Sequence, residues 1–135
     1  MNEVIPMYEM ALEPLYPEYA EACRSFSNEN WILAVVHLRR IMEVIILDTF
    51  EQLKKENVFR ISKHEFMNFP LSERLDAVSD FLPYRIQDDQ GLRDIMTKDI
   101  LELTEDECRR MFPLFKKVMD RICEDRIALF RFDFR

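Results

Sequence analysis

The sequence predicts an all-α protein, folded as a single compact bundle of four to five helices, two of them long and packed antiparallel. Glycine occurs once in the 135 residues, against about nine expected at an average usage of about 7%. Such scarcity disfavours tight hairpins and Gly-rich phosphate-binding loops. Hydrophobic residues make up 48% of the chain, which is enough for one buried core. We therefore expect one domain over residues 1–135.

The first part of the chain is expected to be irregular before it becomes helical. Pro6, Pro14 and Pro17 interrupt any continuous helix in a lead-in over residues 1–17. Pro17 suits the first turn of a helix over residues 18–26, where a missing backbone N–H costs little. The residues expected on the buried side of this helix are Tyr19, Ala22, Cys23 and Phe26.

A long central helix is expected over residues 29–56. Its apolar residues recur three and four positions apart for roughly six turns. They are Trp31, Ala34, Val35, Leu38, Ile41, Met42, Ile45, Thr49 and Leu53. Val36, Val44 and Leu47 make the opposite side apolar as well, so we expect other elements to contact this helix from several directions.

Two short helices and a second long helix are expected in the second half. The short helices cover residues 71–82, ended by Pro83, and residues 89–97. Thr104 and Glu107 have the spacing of a capping box, which predicts the start of the last helix. Pro113 lies inside that helix and is expected to bend it. Its expected buried residues are Met111, Leu114, Phe115, Val118, Ile122 and Leu129.

Charge is distributed unevenly along the chain. The net charge is −7, and residues 88–107 hold eight acidic and two basic residues. Residues 109–135 hold eight basic and four acidic residues. The acidic balance disfavours indiscriminate nucleic-acid binding, while the last helix keeps a basic side.

Several functional classes are disfavoured by composition. No apolar run reaches the roughly 18 residues of a membrane helix, and the first residues lack the basic region of a secretion signal. Cys23, Cys108 and Cys123 have no metal-binding spacing and are expected to be free thiols of a cytoplasmic protein. The acidic residues 88–107 do not match the spacing of a calcium loop. We expect no cofactor, no metal and no membrane contact.

Residues 30–50 carry a family resemblance. They contain a Leu-Arg-Arg-x-x-Glu run at residues 38–43, and similar segments follow at residues 71–75 and 92–94. This order of motifs resembles HEPN-like helical domains, in particular the restriction- and defence-associated branch of unknown function. The resemblance covers roughly residues 18–128 and implies a helical bundle with two long helices.

The resemblance also implies a ribonuclease site, which is degenerate here. In nuclease members, a His handles the proton of the RNA 2′-hydroxyl and an Arg stabilises the phosphate, at a cleft between two subunits. Arg93 and Asp94 match the first two positions, but Lys98 and Asp99 stand where the His is required. We therefore expect no catalytic residues in this degenerate site of Arg93, Asp94 and Asp99. Arg93 could still hold a phosphate.

The two histidines do not restore the site. His64 follows Arg60 by four residues in an expected loop, closer than the family spacing. His37 and Arg40 lie one turn apart on the central helix and could face a cleft with Arg93. The alternative, which we favour, is that Arg40 and Glu43 form ion pairs that fix helix packing.

A basic stripe is expected on the last helix. Arg110, Lys117 and Arg121 share one side and could contact phosphates together with Arg93. The alternative is a solvated side of the helix, balanced by neighbouring carboxylates, and this second interpretation is favoured. Those carboxylates belong to Asp120, Glu124 and Asp125.

The last six residues, 130–135, form an aromatic tail. Phe130, Phe132 and Phe134 alternate with polar residues, so an extended strand would show an all-Phe face. This face could pair with a partner's sheet edge or insert into another subunit. Alternatively, the three rings cover the end of their own bundle.

These observations favour a protein that works by binding. The leading hypothesis is a non-catalytic HEPN-like interaction or regulatory subunit of a multi-component bacterial defence or toxin-linked system. Its partner would be another protein subunit, with a homodimer also possible. One alternative is an RNA-binding or RNA-cleaving domain that uses Arg93 and the basic helix, although nucleic acid is not favoured. Another alternative is an acidic inhibitor that mimics nucleic acid.

Overall fold

The computed structural model describes residues 15–82 and 89–133, with side chains up to residue 122. These residues contain no strand, so the prediction of an all-α fold is confirmed. In chain order the helices are α1 (Tyr16–Ser27), α2 (Trp31–Lys55), α3 (Lys63–Met67), α4 (Leu71–Val78), α5 (Gln90–Thr97) and α6 (Glu105–Asp133). Two 3-10 turns, Ser79–Phe81 and Ile100–Glu102, follow α4 and α5.

The first two helices differ slightly from their predicted limits. α1 begins at Tyr16 with Pro17 in its first turn, so the lead-in expected over residues 1–17 ends earlier. Residues 1–14 lie outside the described part of the chain. Glu29 has a positive φ of 63°, a left-handed conformation that cannot continue a helix. For this reason α2 begins at Trp31, two residues later than predicted.

The loop predicted over residues 60–64 is wrong at Lys63 and His64, which begin the short helix α3, whereas residues 60–62 are not helical. Ser62 and Glu65 make a reciprocal capping box: the Glu65 amide donates to Ser62 Oγ, and the Ser62 amide donates to Glu65 Oε1. Phe66 is fully buried, and its ring stacks on Phe50 with centroids 4.0 Å apart. Five residues are too few to show a helical period, but the cap was visible in the sequence.

The last long helix begins at the predicted cap and continues further than expected. The amide of Glu107 donates to Thr104 Oγ1, and the amide of Thr104 donates to Glu107 Oε2. The helix contains Pro113 and extends to Asp133. Of the two alternatives for the aromatic tail, the extended strand is therefore wrong at Phe130 and Phe132, whose backbone is helical. Phe134 and the side chains from residue 123 onwards lie outside the described part of the chain.

The core surrounds α2, which contacts α1, α4, α5 and α6, as the apolar surface of this helix predicted. Phe112 and Met119 of α6 are also buried, although neither was expected. Val44, on the opposite side of α2, remains 37% exposed. The predicted core residues that are buried are Tyr19, Ala22, Ala34, Val35, Leu38, Ile41, Met42, Ile45, Leu53, Phe115, Val118 and Ile122. Leu75 and Val78 of α4 are buried as well. Those that are only partly buried include Cys23, Phe26, Trp31, Thr49, Met111 and Leu114.

Candidate functional site

Arg93, the one residue of the degenerate site that could still hold a phosphate, is hydrogen-bonded to a carboxylate. Its Nη1 and Nη2 donate to the two carboxylate oxygens of Asp76 in α4, at 2.5 Å and 3.1 Å. This bidentate hydrogen bonding raises the pKa of Arg93. A phosphate would have to displace Asp76 to bind the same guanidinium edge.

The other two residues of the degenerate site, Asp94 and Asp99, accept hydrogen bonds from residues close to them in the sequence. Asp94 Oδ1 accepts a hydrogen bond of 2.6 Å from Gln90 Nε2, one turn earlier in α5. Asp99 Oδ1 accepts a hydrogen bond of 2.9 Å from the amide of Leu101. Since Arg93 pairs with α4, the three side chains serve three different contacts and form no common site.

His37 and Arg40 meet at Glu18 of α1 rather than at Arg93. Nδ1 of His37 contacts Glu18 Oε2, and Nη1 of Arg40 lies 3.5 Å from the same oxygen. The His37 and Glu18 side chains are only 14% and 24% exposed, whereas Arg40 is 64% exposed. The ion pair predicted for Arg40 is present, and its partner is Glu18. The cluster joins α1 to α2.

The basic stripe on α6 is divided by ion pairs. Asp106 accepts hydrogen bonds from Arg109 Nη2 at 2.7 Å and from Arg110 Nε at 3.0 Å. These two bonds lower the pKa of Asp106. Lys117 and Arg121 are exposed, and neither forms an ion pair with another side chain that the structure describes. A continuous run of available cations is therefore not present between residues 109 and 121.

The described residues form neither a recognisable metal site nor a membrane-spanning helix. Residues 15–82 and 89–122 bring together no group of three His, Cys, Asp or Glu side chains that could hold a metal ion. His64 Nε2 lies 3.3 Å from Asn68 Nδ2, one turn later. No helix in the described part of the chain has the length and apolar character needed to cross a bilayer.

A buried arginine that the sequence analysis did not single out lies on α2. Arg39 is only 8% exposed, and its Nη1 donates to the carbonyl of Lys98 at 2.6 Å. Its Nε is buried without a hydrogen-bond partner. Burial lowers the pKa of Arg39, and the nearby carboxylates of Glu43 and Asp99 oppose that shift.

Arg39 could have been recognised from its position. It lies four residues after Val35, three before Met42 and seven before Ile46, and all three of these are buried. A charged residue within an apolar stripe of this period must be buried with a partner. The partner, a backbone carbonyl beyond α5, could not be read from the sequence.

The segment between α5 and α6 is held by further polar contacts. Lys98 Nζ lies 3.1 Å and 3.2 Å from the two carboxylate oxygens of Glu107. Although burial opposes it, hydrogen bonding to Thr104 and Lys98 lowers the pKa of Glu107. Asp99 caps the 3-10 turn through Leu101, and Arg39 holds the carbonyl of Lys98. The backbone between α5 and α6 is therefore fixed at several points.

This fixed segment presents two aliphatic side chains outward. Leu101 is 94% exposed and Ile100 is 46% exposed. We call Ile100–Glu102 the Leu101 turn. Glu102 and Glu105 beside it are exposed, and neither forms an ion pair with another described side chain. The sequence predicted the acidic character of this segment but not its exposed apolar pair, which lies between two helices.

Comparisons of this chain with protein-family models, curated proteins and solved structures found no match. The HEPN resemblance therefore depends on the sequence motifs alone and stays a prediction.

Proposed function

We propose that this protein is a non-catalytic, HEPN-like interaction subunit of a multi-component bacterial defence or toxin-linked system, and that it acts by protein–protein binding. The single observation that carries the binding role is the exposure of Leu101, which is 94%. The family-like order of motifs motivates the HEPN and defence parts of the proposal.

The energetic argument concerns both the side chain and its backbone. Burying an aliphatic side chain of this size in a partner is worth about 1.5–3 kcal/mol. Because Arg39, Asp99 and Glu107 already fix the backbone, binding loses little conformational entropy. A fixed, exposed leucine is therefore suited to serve as an anchor residue in a protein interface.

The alternative role in RNA binding receives less support. Arg93 is held by Asp76, and Arg110 is held by Asp106. Lys117 and Arg121 remain available on α6, but two cations supply only a weak, salt-sensitive contact to a phosphate backbone.

The test is a comparison of tagged proteins in native lysate. Wild type, Leu101→Asp and a control variant would be recovered with and without nuclease treatment, and the proteins bound in stoichiometric amounts identified by mass spectrometry. Leu33→Asp is the control, because Leu33 is another exposed leucine, 47% exposed at the start of α2.

The expected result is a protein partner that survives nuclease treatment, binds the Leu33→Asp variant and is lost from Leu101→Asp. Equal recovery by the Leu101→Asp variant would contradict the proposal. Recovery of RNA without a stoichiometric protein would favour the RNA-binding alternative. A gene neighbourhood without defence or toxin genes would remove the support for that part of the proposal.

A further inference from the structure

A second exposed apolar surface lies around α3. Val58, Met67 and Phe69 are 48%, 42% and 37% exposed. We call these three residues the α3 patch. Phe66, which precedes Met67 in α3, lies 4.0 Å from Phe50 and 6.4 Å from Phe69, measured between ring centroids. The patch therefore has an ordered, buried support.

The backbone of the α3 patch is fixed in the same manner as the Leu101 turn. Lys54 Nζ donates to the carbonyl of Ile61 at 2.9 Å, and Arg74 Nε donates to the carbonyl of Phe69 at 3.1 Å. Ser62 and Glu65 close the start of α3 with their capping box. Two pre-organised surfaces lose less entropy on association than two mobile ones.

The two surfaces have opposite local charge. Residues 98–107 contain five acidic residues and one basic residue. Residues 54–69 contain four basic residues and two acidic ones, although the whole chain has a net charge of −7. Lys55 and Arg60 are exposed, and among described side chains neither has an ion-pair partner. They are available to meet Glu102 and Glu105 of another molecule.

We infer that the partner of the Leu101 turn is a second copy of this chain, in which Leu101 packs onto the α3 patch. This inference rests on the proposed function, because it assigns the Leu101 turn to protein binding and then names the protein bound. Methionine and phenylalanine accommodate an aliphatic side chain well, because the thioether is flexible and the ring is flat. The basic residues around the patch face the carboxylates around Leu101.

One copy can use both surfaces at the same time. Arg39 anchors the Leu101 turn and Phe50 supports the α3 patch, and these residues are eleven positions apart on α2. At about 1.5 Å per residue, they are separated by about 16 Å along the helix axis. The contact joins two different surfaces, so copies associate head to tail, into a ring or an open chain.

The first test measures self-association of the purified protein. Sedimentation equilibrium over a hundredfold range of concentration would compare wild type with Leu101→Asp, Met67→Asp and the control Leu33→Asp. We expect wild type and Leu33→Asp to associate, and each of the other variants to bind at least about tenfold more weakly. Association of wild type should also weaken at high salt, because the charges around both surfaces are screened.

The second test mixes the two weakened variants. Leu101→Asp retains the α3 patch, and Met67→Asp retains the Leu101 turn, so an equimolar mixture should form dimers and nothing larger. Circular dichroism and thermal unfolding would establish that both variants are folded.

Three outcomes would overturn the inference: a monomeric wild type at all concentrations, association unaffected by either variant, or a mixture that stays monomeric. The last result would indicate a symmetric interface instead. The wild type could be monomeric in sedimentation and still recover from lysate a different protein that Leu101→Asp does not bind. That pair of results would overturn this inference and leave the proposed function standing.

Discussion

Arg39 and Lys98, which are 59 residues apart in the sequence, are joined by a hydrogen bond of 2.6 Å from the guanidinium Nη1 to the backbone carbonyl. The bond connects the middle of α2 to the residue that follows α5. Because Leu101 lies three residues further on, this buried contact fixes the base of the exposed turn. The structural role of Arg39 is therefore to position a surface rather than to contact a ligand.

Two substitutions of Arg39 should distinguish how much its hydrogen bond and how much its side-chain volume contribute to the stability of the fold. Arg39→Ala removes the donor and leaves a cavity, so we expect the free energy of unfolding to fall by about 2–4 kcal/mol. Arg39→Met fills much of the same volume and removes a buried charge whose Nε has no partner, so we expect a smaller loss. Urea unfolding would measure both.

Hydrogen exchange supplies the second measurement for these variants. In Arg39→Met, the amides of residues 100–103 should exchange faster while those of α1 remain protected. A methionine variant as unstable as the alanine variant would show that the hydrogen bond, and not packing, dominates the stability at this position.

Much of the helical core could be predicted because its signal is local. The repeat of Leu38, Ile41 and Ile45 gives one buried side of α2, and all three are buried in the structure. The cap of Thr104 and Glu107 is likewise specified by two residues three positions apart. Such signals require no knowledge of which segments meet in the fold.

The arrangement of the candidate site could not be predicted, because it depends on partners distant in sequence. Glu18 for His37 and Asp76 for Arg93 come from other helices, and no local pattern designates them. The exposure of Leu101 also had no periodic signal, since a 3-10 turn of three residues is too short to show one.

Glu107 should make stability depend on pH at acidic values. Its side chain is 15% exposed, and hydrogen bonds with Thr104 and Lys98 lower its pKa in the folded state despite the opposing effect of burial. Its ionised form therefore stabilises the folded protein above the usual glutamate pKa of about 4.3, and this contribution disappears as the pH falls through the lowered folded value.

Glu107→Gln should accordingly be less stable than wild type at neutral pH, and the difference should shrink towards about pH 3. Urea unfolding at a series of pH values measures this difference. Glu105→Gln is the matched control in the same helical turn, because Glu105 is exposed and pairs with no described side chain. If the free energy of unfolding of Glu107→Gln is lower than that of wild type by the same amount at every pH, the role of the ionised carboxylate would be contradicted.

Cys108 should be unreactive while the protein is folded. It is fully buried, and burial, with a further contribution from Glu107, raises the pKa of its thiol to about 11. Since the thiolate is the reactive form, alkylation near pH 8 should be slow. Cys23 is only partly buried and should react sooner.

Mass spectrometry of peptides from protein treated with iodoacetamide would rank the two sites. Cys108 should be labelled at a comparable rate only after denaturation. Equal labelling of Cys108 and Cys23 in the native protein would mean that the junction of α2 and α6 opens readily.

Arg93 should contribute little to RNA binding, because Asp76 already occupies its guanidinium through two hydrogen bonds. Fluorescence anisotropy with a labelled single-stranded RNA would compare wild type with Arg93→Ala and with a Lys117→Ala/Arg121→Ala double variant. We expect Arg93→Ala to bind within about twofold of wild type, and the double variant to weaken any measurable binding more strongly. Asp76→Asn is the informative control, because it removes the competing charge while keeping the shape of the side chain. If Arg93→Ala abolishes RNA binding, the guanidinium must exchange Asp76 for phosphate, and the interpretation of Arg93 as a structural ion pair would be wrong.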